Sequence, residues 1–340
     1  MPHKCPACSV NFVSIENGFL YISGEGLISF ILRHFPLTIL HEDGAYIPFG
    51  SEQELESVID KLAASEEANH VEAALTKIMK KPVLLTLFPE LAERIRNQEA
   101  VHIIQTTDFQ GYFQPIINLQ TNELYAYESL LRDPLNRISP GKLFHTAQAT
   151  GMHSMLDQKA RETAIRSRVG KVEDGIKSFI NFLPSTIYNP EYCLQHTFQI
   201  VEKYDVSPED LVFEVVETEK IKDIEHLKNI FKVYKREGMK VALDDFGAGF
   251  STMEVLLALT PDYVKVDRAS IMFCDQDLEK QRFLKELAAV SRSLGIATLA
   301  EGIERKEELE FCRELGMDLA QGYYIGKPGE VPKIPALSGI

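Results

Sequence analysis

Between residues 112 and 325 the sequence alternates short apolar, β-prone segments with stretches of helical spacing, and few folds accept that order. The β-prone segments run over 112–119, 124–132, 178–183, 211–217, 240–246, 263–267, 297–302 and 319–325. In the longer gaps, Ile224, Leu227, Ile230, Phe231 and Tyr234 share one helical face, and Phe283, Leu284, Leu287, Val290 and Leu294 share another. Gly170, Gly238, Gly295 and Gly316 stand where helices of this kind end. Eight strands with helices between them predict an α/β protein, a TIM-like (β/α)8 barrel. The first two segments are separated only by residues 120–123, too few for a crossover helix, so this first strand pair is predicted antiparallel.

At 340 residues the chain exceeds one such barrel, and it divides into an N-terminal region over 1–98 and a barrel over 99–340. The N-terminal region reads as a small α+β unit. A hairpin is expected around residues 16–18, a short helix over 26–35, a longer one over 52–64, and a polar helix-prone stretch over 66–80. A net charge of −14 argues against DNA or RNA polymers as partners, because these demand a basic footprint. No apolar run is long enough for membrane insertion, and the N-terminus lacks the order of an export signal, so the expected location is cytoplasmic. Five scattered cysteines suggest no disulfide framework.

The acids fall where a barrel exposes its chemistry. Glu128, Asn181, Glu214, Glu217, Asp244, Asp245, Lys265, Asp267, Glu301 and Gln321 all lie in or at the ends of predicted strands. In a (β/α)8 barrel those ends converge on one face, where active sites sit. Carboxylates gathered there repel one another unless cations neutralise them. Oxygen ligands without His or Cys favour Mg²⁺ or Mn²⁺ over zinc. Adjacent aspartates serve two ions if one carboxylate bridges, and two ions clamp a phosphodiester for in-line attack. Lys265 is placed to hold or polarise the attacking water, and Arg132 to grip phosphate oxygens. Asp267 has a structural alternative, pairing with Arg268 or another barrel group. Spacing alone gives a metal-assisted hydrolase or lyase.

Ordered motifs sharpen this. They are Tyr112-Phe113-Gln114-Pro115-Ile116, Glu128-Ser129-Leu130-Leu131-Arg132, Asn181-Phe182-Leu183-Pro184 and Phe213-Glu214-Val215-Val216-Glu217. The series continues with Asp244-Asp245-Phe246-Gly247, Lys265-Val266-Asp267, Glu301-Gly302-Ile303-Glu304 and Gln321-Gly322-Tyr323. In this order they resemble the EAL-domain family of cyclic di-GMP phosphodiesterases. The resemblance implies hydrolysis of cyclic di-GMP to linear pGpG. It implies Glu128, Asn181, Glu214, Asp244, Asp245 and Glu301 as metal ligands, and Glu128, Lys265 and Glu301 as catalytic residues. Arg132 and Gln321 would contact substrate, Glu217 would anchor the loop after the fifth strand, and the barrel would form a homodimer. The signature alanine is Ser129 here, Asp133 replaces a frequent aromatic, and Val216 a usual threonine; no ligand position is lost. The alternatives are a catalytically silent receptor for the same ligand and a protein-interaction scaffold.

Ahead of the barrel, His3, Cys5 and Cys8 invite a Zn²⁺ reading, because Cys-x-x-Cys is a common half-site; a redox pair and an inert terminus are the other readings.

Overall fold

The computed structural model describes residues 12–335, apart from 25, 43, 216–222 and 248–251. Its contacts group into two units, Met1–Thr107 with Arg137–Leu156, and Asp108–Asn136 with Asp157–Ile340.

The first unit is α+β. It contains β1 (Gly18–Ser23), α1 (Ile28–His34), β2 (Ile39–His41), β3 (Gly44–Phe49), α2 (Glu52–Ala63), β4 (Glu72–Thr76), β5 (Thr86–Leu87), α3 (Phe88–Arg96), α4 (Gln98–Thr106) and α5 (Pro140–Ala149). The strands form one sheet in the order β2-β3-β1-β4-β5, with every pair antiparallel. Helix α2 starts where Ser51 accepts the Glu54 N–H at 3.2 Å, and it buries Leu55, Val58, Ile59 and Leu62 against the core. Two expectations fail here. Residues 12–15 form no strand, so β1 pairs with β3 and β4 rather than within a local hairpin. The stretch 66–80 gives only a short 3₁₀ turn, Glu66–His70, before β4. Ala73, Ala74 and Leu75 pair with β1, and that long-range pairing overrides local helix propensity.

The second unit is the barrel. After β6 (Gln110–Asn118) and β7 (Leu124–Arg132) come α6 (His153–Arg168), β8 (Lys177–Phe182), α7 (Pro190–Cys193), α8 (Gln195–Lys203) and β9 (Leu211–Val215). They are followed by α9 (Ile224–Arg236), β10 (Lys240–Phe246), α10 (Met253–Leu259), β11 (Tyr263–Val266), α11 (Arg268–Ile271), α12 (Leu278–Leu294), β12 (Ala297–Ala300), α13 (Lys306–Leu315) and β13 (Leu319–Gln321). The eight strands close in the order β10-β11-β12-β13-β6-β7-β8-β9. Strand β6 runs antiparallel to both β7 and β13, as its short connection requires, and the other neighbours are parallel. Helices α12 and α13 stop at Gly295 and Gly316, whose φ values of 69° and 80° suit glycine.

Side-chain alternation splits the barrel core in two. Outward residues such as Ile180, Phe213, Val241, Val264 and Ala320 pack under the helices. Inward residues Ile116, Ala126, Phe179, Val212, Ala242, Tyr263, Leu299 and Leu319 fill the interior. No helix among the described residues is long and apolar enough to cross a membrane.

Candidate active site

The site is the next layer of the barrel. Two residues beyond each inward apolar side chain the strand again points inward. Ala126 leads to Glu128, Phe179 to Asn181, Val212 to Glu214, Ala242 to Asp244, Tyr263 to Lys265, Leu299 to Glu301 and Leu319 to Gln321. On antiparallel β6 the count runs backwards, from Ile116 to Gln114, which pairs directly with Glu128. Eight strands thus contribute one polar ring, stacked on an apolar floor.

Asp245 breaks the alternation. A residue beside Asp244 on a regular strand would face outward, yet Asp245 lines the same cleft as Glu301. The cause is local: β10 shifts register against β11 between Leu243 and Phe246, and Asp245 has φ +51°. Asp tolerates this left-handed conformation better than most residues, and such strain gathers at functional sites. Asp244, Asp245 and Glu301 consequently bring one carboxylate oxygen each within 4.8 Å of the others.

Among the described residues, Lys265 is the only cation of the ring. Its Nζ lies 2.8 Å from Glu214, 2.9 Å from Asp244 and 2.9 Å from Glu301, and the side chain is 1% exposed. Burial disfavours its ammonium form, but Asp244, Glu214, Glu301 and Glu128 outweigh burial and hold its pKa well above the usual lysine range. Glu214 is completely buried; desolvation, with repulsion from Glu128 and Asp244, drives its pKa well up against the pull of Lys265. Glu301 is raised well above the carboxylate range by burial and by Asp244 and Glu128, again opposed by Lys265. Glu128 goes the other way: burial raises it, yet Lys265 and the amides of Gln321 and Asn181 bring it below the usual value. Those amides donate to Glu128 at 2.7 and 3.2 Å.

This donor set fits a hard divalent cation. Five carboxylates face one ammonium, every donor is oxygen, and neither carboxylate oxygen of buried Glu214 has a well-directed hydrogen-bond partner. Added positive charge would relieve that imbalance.

Above the ring opens a cleft of about 420 Å³, lined by Gln114, Glu128, Asp245, Asp267, Glu301 and Gln321, with Arg268, Glu304 and Tyr323 at its side. Asp267 accepts the Ala269 N–H at 2.6 Å and so caps α11, while Arg268 pairs with Glu304 at 2.9 Å rather than with Asp267. Arg132 ends the strand that carries Glu128 but does not line the cleft; it donates to the Leu131 carbonyl at 2.8 Å and lies over the Tyr112 ring. Glu217, His3, Cys5 and Cys8 lie outside the described residues. Gln114, Arg268, Glu304 and Tyr323 join the site without having been expected there. Gln114 was recoverable, since two positions before an inward Ile116 on a reversed strand is the mirror of the rule that finds the other seven.

Fold and ring together define a class: a (β/α)8-type barrel with one antiparallel strand and an acid-lined end suited to cations. The chain belongs to the EAL-domain family, whose model matches residues 94–328. A standalone EAL protein from Vibrio cholerae O395, solved with c-di-GMP bound, is similar at 34% identity and TM-score 0.62, covering 68% of this chain and 97% of that one. The probable cyclic di-GMP phosphodiesterase PdeG of Escherichia coli K12 is 30% identical over 233 residues, 66% of this chain and 45% of the relative. Klebsiella pneumoniae BlrP1, solved as a manganese and cyclic di-GMP complex, shares the fold at 20% identity and TM-score 0.59, covering 92% of this chain and 96% of that one. That coverage takes in part of the N-terminal unit as well as the barrel. The chain spans less than half the length of the curated relatives it matches first.

Proposed function

We propose that the barrel is a metal-dependent phosphodiesterase that hydrolyses one phosphodiester of cyclic di-GMP and releases linear pGpG, in bacterial second-messenger signalling in the cytoplasm. The observation that carries this reading is the ring: five carboxylates and three amides surround one buried lysine at the mouth of a barrel shared with proteins named for this ligand and this activity. Glu128, Asn181, Glu214, Asp244, Asp245 and Glu301 would hold two Mg²⁺ or Mn²⁺ ions. Bound there, such ions supply charge for the phosphate oxygens and acidify water.

The protein's own groups do the rest. Lys265, kept charged by its carboxylates, donates hydrogen bonds and holds the attacking water against the phosphorus. Gln321 keeps Glu128 ionised and oriented through its 2.7 Å hydrogen bond, and its place in the cleft lets it meet substrate. Arg132 grips a phosphate after leaving the Leu131 carbonyl. The barrel pairs with a second copy, and residues 1–98 regulate it.

The test is chromatography of cyclic di-GMP incubated with purified protein, with Mg²⁺ or Mn²⁺ and then with EDTA. Metal-dependent pGpG is expected. Substrate left intact by folded protein that has taken up metal would overturn the enzyme reading and leave a receptor.

A further inference from the structure

Helix α6 carries two buried charges that the acid ring does not use. Asp157 is 1% exposed and Arg161 2%, and they pair at 2.8 Å one helical turn apart. A buried ion pair gains little stability over apolar groups of the same size, so stability alone does not account for it. Its hydrogen bonds point elsewhere. Asp157 Oδ1 accepts the backbone N–H of Leu183 at 2.9 Å, and Oδ2 accepts the Thr186 hydroxyl at 2.9 Å. The Thr186 backbone N–H donates to the Leu183 carbonyl at 3.1 Å, which closes the turn on itself. Leu183 is the second residue after Asn181. Arg161 extends the network to Thr197 on α8.

Asp157 therefore fixes the chain where β8 leaves the barrel wall. Asn181 must present its amide to Glu128 at 3.2 Å, and it has only the end of β8 to stand on. From outside the barrel, Tyr234 of α9 packs on Phe182 at 5.5 Å and flat on Phe213 at 4.2 Å, the neighbours of Asn181 and Glu214. Aromatic packing sets how far those strand ends lie from the helices. The carboxylate sets the turn, because directed hydrogen bonds fix orientation where packing does not.

We propose that Asp157 is a positioning residue for the cation site. It holds the turn at residues 183–186 with two hydrogen bonds and thereby holds the Asn181 amide in ligating position, while Arg161 keeps the carboxylate aimed. The proposal rests on the metal-dependent reading given above. Groups that orient a metal ligand typically change affinity 10–100-fold when they are lost.

The experiment is a calorimetric Mn²⁺ titration of the full chain, run beside metal-free thermal unfolding and hydrolysis at increasing Mn²⁺. Thr186→Val removes one hydroxyl and leaves the ion pair; Asp157→Asn removes the charge. Thr186→Val should unfold within a few degrees of the parent yet bind Mn²⁺ roughly tenfold more weakly, with the rate restored by excess Mn²⁺. Asp157→Asn should weaken binding further, and if it does not fold, Thr186→Val decides alone. Parent-like Mn²⁺ affinity in folded variants, even with a lowered Tm, would reduce Asp157 to a structural residue and leave the metal reading standing. A parent chain that takes up no Mn²⁺ would remove the metal reading and this proposal with it.

Discussion

Asp244 and Asp245 are consecutive residues of one strand, yet both reach the same cation-sized space, because Asp245 sits at φ +51° on a register shift. The backbone there carries strain that ligation makes useful. Asp245→Asn keeps a residue that tolerates the left-handed region, so its metal-free stability should stay within about 0.5 kcal/mol of the parent. Asp245→Ala should lose about 1 kcal/mol more. Both variants should bind Mn²⁺ weakly, since both lose the carboxylate. Denaturant unfolding of the pair is the check, and equal stability of Asn and Ala would remove the strain argument.

Lys265 neutralises carboxylates from three strands of the ring, so its loss should be felt in folding as well as in rate. Lys265→Met fills similar space without charge. Breaking a buried pair costs roughly 3–5 kcal/mol, which for a barrel of this size is a Tm fall of about 10 °C. Mn²⁺ should return part of that loss by supplying positive charge, whereas hydrolysis should stay depressed by about 100-fold or more. Calorimetric scans with and without Mn²⁺ would show it; an unchanged metal-free Tm would mean that Lys265 is not what balances the ring.

The barrel was legible because its period is simple. Seven ring residues follow from counting two positions past an inward apolar residue, and the hairpin at 120–123 announced the reversed strand. The last strand is shorter than its apolar run predicts. After Gln321, which ends β13, the chain turns, with Tyr324 donating to the Ile303 carbonyl at 3.0 Å and Ile325 to the Gly322 carbonyl at 3.0 Å. What was not legible depends on distant partners. Nothing local says that Ala73–Leu75 pairs with β1, nor that Asp245 turns inward, nor that Arg268 chooses Glu304 over Asp267.

Glu214 and Glu301 make the metal-free ring sensitive to pH. Their folded pKa values lie well above the ordinary carboxylate value, first because they are buried. The folded state therefore binds their protons more tightly than the unfolded state. Their contribution to stability is complete below the unfolded pKa near 4.5 and is lost as pH rises through the raised folded values. Cations need the ionised carboxylates, so Mn²⁺ affinity should climb over the same interval, with protons released on binding. Titrations in buffers of different ionisation heat count those protons. Glu214→Gln and Glu301→Gln should each release fewer, and an unchanged count would show that the carboxylates were already ionised.

Gly322 follows Gln321 and sits where a side chain has no room. A Cβ added there would lie 2.1 Å from the Ile303 carbonyl oxygen and 2.2 Å from its nitrogen, well inside contact distance. Both atoms are backbone. Ile303 is also tied to this turn, since its N–H donates to the Gln321 carbonyl at 3.0 Å and its own carbonyl accepts from Tyr324. No rotamer change relieves the clash, so the segment after Glu301 and the turn after Gln321 must move apart. Gly322→Ala should therefore cost about 3 kcal/mol, the upper part of the overpacking range. It should also displace the Gln321 amide from Glu128, so Mn²⁺ binding should weaken even in protein that stays folded. Gly26→Ala is the control, because nothing lies within 4 Å of a Cβ there and its backbone is not in the left-handed region. Thermal unfolding of the two variants, followed by Mn²⁺ titration, separates the effects. A Gly322→Ala chain as stable as the parent would mean that the Gln321 turn is looser than this packing requires.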